Sequence, residues 1–150
     1  MSSPIPVVAA LLLLGPGGVR RAAPQPLSFR EIFDPSAPGL EPSARLRSLV
    51  GRRVRLTGYM ARMESPPKGG FYLCASPVLA TEAGGGTADL PPDAVFVVVR
   101  SAAGKELAHI ERPLEVTGLL ELGPQADDEG RVSRIRILLD RPRTRSPQPF

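Results

Sequence analysis

The residues best suited to chemistry in this 150-residue chain are few and scattered. One histidine, His109, and one cysteine, Cys74, stand far apart in sequence. A tight metal site needs three or four clustered His, Cys or carboxylate ligands, and an activated thiol or hydroxyl needs a base beside it. The pair therefore reads as a surface histidine and a small core thiol, with no partner for an internal disulfide. Asp127-Asp128-Glu129 offers hard oxygen ligands but lacks the spacing of an EF-hand loop, so it reads as a solvated hairpin tip. Gly84-Gly85-Gly86-Thr87 resembles a phosphate cradle only superficially. The P-loop needs Gly-Lys-Ser/Thr ahead of a helix, whereas Ala88-Asp89-Leu90-Pro91-Pro92 follows here. No Gly-x-Ser-x-Gly elbow occurs, and a carboxylate pair of the glycosidase kind would have to come from acids in loops or on strand exteriors. An enzyme built that way is the weakest reading. The residue types point to binding without a cofactor or metal, and not to catalysis.

The candidate binding residues are Arg53, Arg55, Tyr59 and Tyr72, together with the loop Gly84, Gly85, Gly86 and Thr87. Two uses are open to them. In one, the outer faces of the first three strands and the loop from Pro77 to Asp93 hold a protein or cell-envelope partner, the loop being long enough to serve function. In the alternative, Tyr59, Tyr72 and Phe96 stack the bases of a single-stranded nucleic acid while Arg53, Arg55 and Arg100 meet its phosphates. Composition disfavours the alternative: aromatic residues make up 5% of the chain and Trp is absent.

The elements that must carry these residues are strands. Val54-Arg55-Leu56-Thr57-Gly58-Tyr59-Met60 is echoed by Leu114-Glu115-Val116-Thr117-Gly118-Leu119-Leu120, each alternating with period two and each placing Thr-Gly at the same step. Five strands are predicted, over residues 52–61, 70–76, 94–100, 113–122 and 132–139. The third, a nearly continuous apolar run, is expected to be the most buried. Gly58 and Gly118 are expected to be bend points of the first and fourth strands. An acidic hairpin loop is expected at residues 123–130. Leu27 to Phe33 can form a helical turn with Ser28 and Glu31 as a capping pair, and Pro42 to Leu49 a short helix opened near Ser43 and ended by Gly51. Five strands and no long amphipathic helix give an all-β class: a small five-stranded barrel at 45–140, preceded by a linker and short helical segment at 24–44.

The formal charge is +4 and the isoelectric point about 10.0. Seventeen of the 19 basic residues are Arg in a chain rich in Ala, Gly and Pro, a bias that GC-rich coding alone can produce. Residues 1–23 read as an export signal: an apolar run from Val7 to Leu14, a break at Gly15-Pro16-Gly17-Gly18 and small residues at Ala22-Ala23. The run is too short to span a bilayer, so the mature chain is expected to be periplasmic or secreted, without a transmembrane span. Residues 141–150 read as a disordered basic tail.

The order of strands, with a short helical link between the third and fourth, resembles the OB-fold. Leu49-Val50-Gly51-Arg52-Arg53-Val54-Arg55-Leu56-Thr57-Gly58-Tyr59-Met60, Phe71-Tyr72-Leu73, the apolar strand behind Pro91-Pro92-Asp93, and Leu114 to Gly118 followed by Val132 to Arg136 resemble exported bacterial proteins of unknown function with such a barrel. The resemblance implies the fold and the compartment, and no activity.

Overall fold

The computed structural model describes residues 22–81, 83 and 86–140. Most of the predicted export signal, the predicted tail 141–150, and Gly84 and Gly85 lie outside the described residues. The chain is mostly β with one short helix. In order it forms β1 (Gln25–Pro26), α1 (Ala44–Leu49), β2 (Arg53–Met60), β3 (Arg62–Met63), β4 (Gly70–Cys74), β5 (Leu79–Ala80), β6 (Val95–Val98), β7 (Leu114–Ala126) and β8 (Val132–Leu139). Six strands make one mixed sheet in the order β1-β2-β4-β6-β8-β7, and β2 also pairs with β7, while β3 and β5 form a separate parallel pair. Within the sheet β1–β2 and β6–β8 are parallel and the other pairs antiparallel. The five predicted strands are therefore joined by a sixth. Like β3 and β5, β1 spans only two residues, too few to show a period of two.

Alternation decides the core. Val54, Leu56 and Met60 of β2, Leu73 of β4, Val95 and Val97 of β6, Val116 and Leu120 of β7, and Ile135 and Ile137 of β8 all point into one buried cluster. Helix α1 adds Leu46 and Leu49 to it. The helix starts where the Ser43 hydroxyl accepts a hydrogen bond from the Leu46 amide at 3.0 Å and donates to the Glu31 carbonyl. It is followed by Gly51 at φ +78°. The predicted turn over Leu27 to Phe33 is a 3₁₀ turn at Phe29–Glu31, with the Ser28 amide donating to the Glu31 carboxylate at 3.3 Å.

Two expectations need correction. The most buried strand is β4, buried along its whole length, while alternate residues of β6 are half-buried. Strand β4 lies between β2 and β6, and Val78, Leu90 and Ala94 pack over its outer residues Tyr72 and Cys74. The acidic loop is also shorter than predicted, because β7 runs on to Ala126 through a register shift between Leu122 and Gln125. Gly58, after which β2 passes from pairing with β7 to pairing with β4, and Gly118 are both sites where a neighbouring strand comes too close for a side chain. The described residues of the segment from Pro77 to Asp93 carry local structure. They form β5, a 3₁₀ turn at Gly86–Asp89 and the Leu90 contact with the outer face of β4 and β6.

The two echoing segments are each other's partners. Leu56 lies opposite Val116, its own counterpart, with Arg55 opposite Thr117 and Thr57 opposite Glu115. Antiparallel pairing in this register gives the β2–β7 ladder a local two-fold character, in which Arg55 and Glu115 occupy equivalent places.

Candidate functional site

The predicted binding residues do not gather in one place. Arg53 is held by an ion pair with Asp140 and donates to the Ala22 carbonyl at 2.8 Å, so its guanidinium serves the fold. Arg55 is exposed and, with Thr57 and Glu115, lines a shallow depression beside the chain at Pro26 to Arg30. Tyr59 is half-buried and lines a second depression with Arg62, Leu79, His109 and Glu111. Tyr72 is buried, its ring 5.0 Å from that of Phe96 at 52°. Covered by the segment that ends at Ala94, this pair cannot offer the open stacking platform that the nucleic-acid alternative assigned to it. Burial, and then the Asp127 carboxylate, raise the phenol's pKa above 10.0. Gly86 opens the 3₁₀ turn, and Thr87 lines an apolar groove.

His109 is half-buried and tied down. Its Nε2 lies 3.0 Å from the Met60 carbonyl, which requires the proton there, and Nδ1 is left to accept from Arg62 at 3.3 Å. Arg62 also pairs with Glu111 at 2.9 Å. The cluster pins the connection ahead of β7 to the end of β2. At the hairpin tip, the Asp127 carboxylate accepts from the amides of Glu129 and Arg131 at 2.9 and 2.8 Å, and Arg131 reaches the Ser65 carbonyl at 3.0 Å. Those acidic oxygens thus close a turn. Among the described residues no group of three or more His, Cys, Asp or Glu is arranged to hold a metal ion. No helix among them is long and apolar enough to cross a membrane.

What the structure does assemble is an apolar groove of about 560 Å³, within the size range of ligand pockets. One wall is the start of β8, Val132 to Ile135, with Leu122, Gly123 and Pro124 of β7; the opposite walls are Thr87 and Leu90 to Pro92, and Phe33, Leu40 and Pro42 of the N-terminal segment. Tyr72 and Ala94 complete the lining, and Arg134 is its single charged residue among the described residues. Leu40 and Val132 of the lining remain 62% and 55% exposed. Sequence reasoning missed this site because its walls come from three distant segments. A local signal was available in Pro91-Pro92 ahead of the third predicted strand, since proline cannot donate to a ladder.

Cys74 is fully buried. Burial, with the Asp93 carboxylate adding to it, pushes the thiol from 9.0 up to about 11. The folded state then holds this proton more tightly than the unfolded chain does. Its share of stability is complete below pH 9 and is lost as the pH rises through 9 toward 11. Urea melts at pH 7 and about pH 10 should therefore show a larger loss for the parent than for Cys74→Ala. Equal losses in the two proteins would remove the thiol as the cause.

No family model matches the chain, and no curated protein matches it. Its structure is similar to the crystal structure of a DUF3299 family protein from Pseudomonas aeruginosa PAO1, with 15% sequence identity, a TM-score of 0.46, and coverage of 79% of this chain and 94% of that one.

Proposed function

We propose that the protein is a non-enzymatic binding module of the bacterial cell envelope, exported and built on an OB-like barrel of β2, β4, β6, β8 and β7, which holds a protein partner in the groove beside β8. The observation that carries the reading is the groove itself, a concave apolar surface with Leu40 and Val132 left largely exposed. The barrel reading draws support from the strand pairing. β2, β4 and β6 follow one another as an antiparallel meander, β8 lies parallel to β6, and β7 fills the place between β8 and β2. Among the described residues the groove has a single charged side chain; this and the covered Tyr72–Phe96 pair favour a protein partner over a polyanion, which would need a row of cations. Export rests on the apolar run from Val7 to Leu14 and the small residues at Ala22-Ala23.

The test is photocrosslinking in the native cell. A benzophenone amino acid at Val132 should give a discrete envelope-protein adduct, and the recovered chain should begin near Ala23. The same probe at Val50, which is 42% exposed and outside the groove, should give none. No adduct from Val132, or the same adducts from both positions, would sink the groove as the binding site. An intact Met1 would sink export.

A further inference from the structure

The ladder between β6 and β8 is incomplete. It runs from Phe96 opposite Arg136 to Val98 opposite Leu138, and continuing its register backward would bring residues 92–95 alongside 132–135. The chain does not follow that course. Pro91 to Ala94 forms a turn closed by the Ala94 amide on the Pro91 carbonyl at 3.0 Å, and Pro92 has no amide hydrogen to give. Val132 to Ile135 consequently pair only with β7 among the described residues, and their other edge borders the groove.

An open strand edge presents backbone donors and acceptors that a second extended chain can use, and the side chains of that chain then fall alternately toward and away from the adjoining surface. Here the adjoining surface is apolar, and its one charge among the described residues is exposed Arg134, whose guanidinium makes no hydrogen bond or ion pair with them. The acidic residues next in sequence to the lining, Asp34, Glu41, Asp89, Asp93 and Glu121, would repel a polyacid, so the complement to Arg134 is a single carboxylate. An acyl chain would satisfy the apolar walls but leave the strand edge unused.

We infer that the partner enters as an extended peptide that adds a strand to the Val132–Ile135 edge, with apolar side chains at alternate positions in the groove and one carboxylate against Arg134. The inference rests on the groove reading above and specifies the chemistry of its occupant.

Fluorescein-labelled octapeptides test it on the full chain by anisotropy. Valine or leucine alternates with threonine, and a single aspartate is moved through the positions. Binding should require both the alternation and one placement of the aspartate, and Arg134→Glu should shift the preference from aspartate to lysine at that position. N-methylation of one alternate set of amides should weaken binding more than tenfold, because that set faces the edge, while methylation of the other set changes it little. Equal tolerance of both methylated sets, or equal binding of scrambled peptides, would overturn strand addition. If no octapeptide binds while Val132 still crosslinks a partner in cells, strand addition fails and the groove reading stands. If the Val132 crosslink is absent as well, both fail.

Discussion

Replacing Gly118 with valine is expected to leave the chain unfolded or close to it at room temperature. A Cβ at this position would lie inside the contact distance of the Leu138 carbonyl oxygen, 2.7 Å from the carbonyl carbon and 2.8 Å from Ile137 Cγ2. The first two atoms are backbone of β8, and β8 is held on both sides here, by β7 and β6. A flexible side chain can swing aside at the cost of a rotamer, whereas moving β8 breaks ladder hydrogen bonds and opens the core around Ile137. The expected loss is about 4 kcal/mol or more, at the upper end of single-substitution effects and comparable with the whole stability of many small domains. Gly58→Val should also be severe, with the Cys74 carbonyl oxygen at 2.5 Å. It should be milder than Gly118→Val because the next atom, at 2.7 Å, belongs to the half-buried Phe29 ring. Gly130→Ala separates this crowding from backbone preference. Gly130 sits at φ +79° with open space around it, so alanine should cost only about 1 kcal/mol. Urea melts followed by circular dichroism give the comparison. A Gly118→Val protein as stable as Gly130→Ala would show that the close strand approach is not what requires glycine.

The second large effect is expected from Arg136→Met. Arg136 is 7% exposed and pairs across the ladder with Glu121, Nε to carboxylate at 3.3 Å. Its Nη1 donates to the carbonyls of Gly123 at 2.8 Å and Ser133 at 2.9 Å. Those acceptors flank the register shift in β7, where Gly123 takes φ +126° and Pro124 has no amide hydrogen. The guanidinium supplies donors that the interrupted ladder lacks. Removing a buried charge recovers its desolvation cost, and an apolar replacement is sometimes favourable when every partner is replaced as well. Here the partners stay behind. Two carbonyls and one carboxylate lose their donor, which outweighs the recovered hydration, and the net loss should be about 3 kcal/mol. Arg136→Lys keeps the charge but not the fork, and should retain only part of the stability. Glu121→Gln should cost less than about 1 kcal/mol, because that carboxylate is partly solvated. Equal urea midpoints for parent and Arg136→Met would mean that water, and not the guanidinium, satisfies the bulge.

Both effects bear on what could be read without a fold. The inward residues of β2, β6, β7 and β8 were legible because a strand with one face on a core must alternate, whatever its neighbours are. The short helix and the Ser28–Glu31 turn were legible because caps act within a few residues. Arg136 alternates with Ile135 and Ile137, and nothing local to β8 announces a bulge in β7. In Phe71-Tyr72-Leu73-Cys74, apolar residues at both parities mean cover on both faces, and Val78, Leu90 and Ala94 provide the second cover. The partners of Arg53 and Tyr72, Asp140 and Phe96, could not be read locally for the same reason, because only folding brings them together.

The sequence by itself determined the five longer strands, most of their inward faces and the helix cap, because these depend on residue type and spacing over a few positions. Only the tertiary structure decided which strands are neighbours, that the echoing segments pair with each other, and that Leu40, Pro92 and Val132 share one groove. Such choices are set by the energy of long-range contacts, made once the chain has closed its loops, and that energy is not written in any local period.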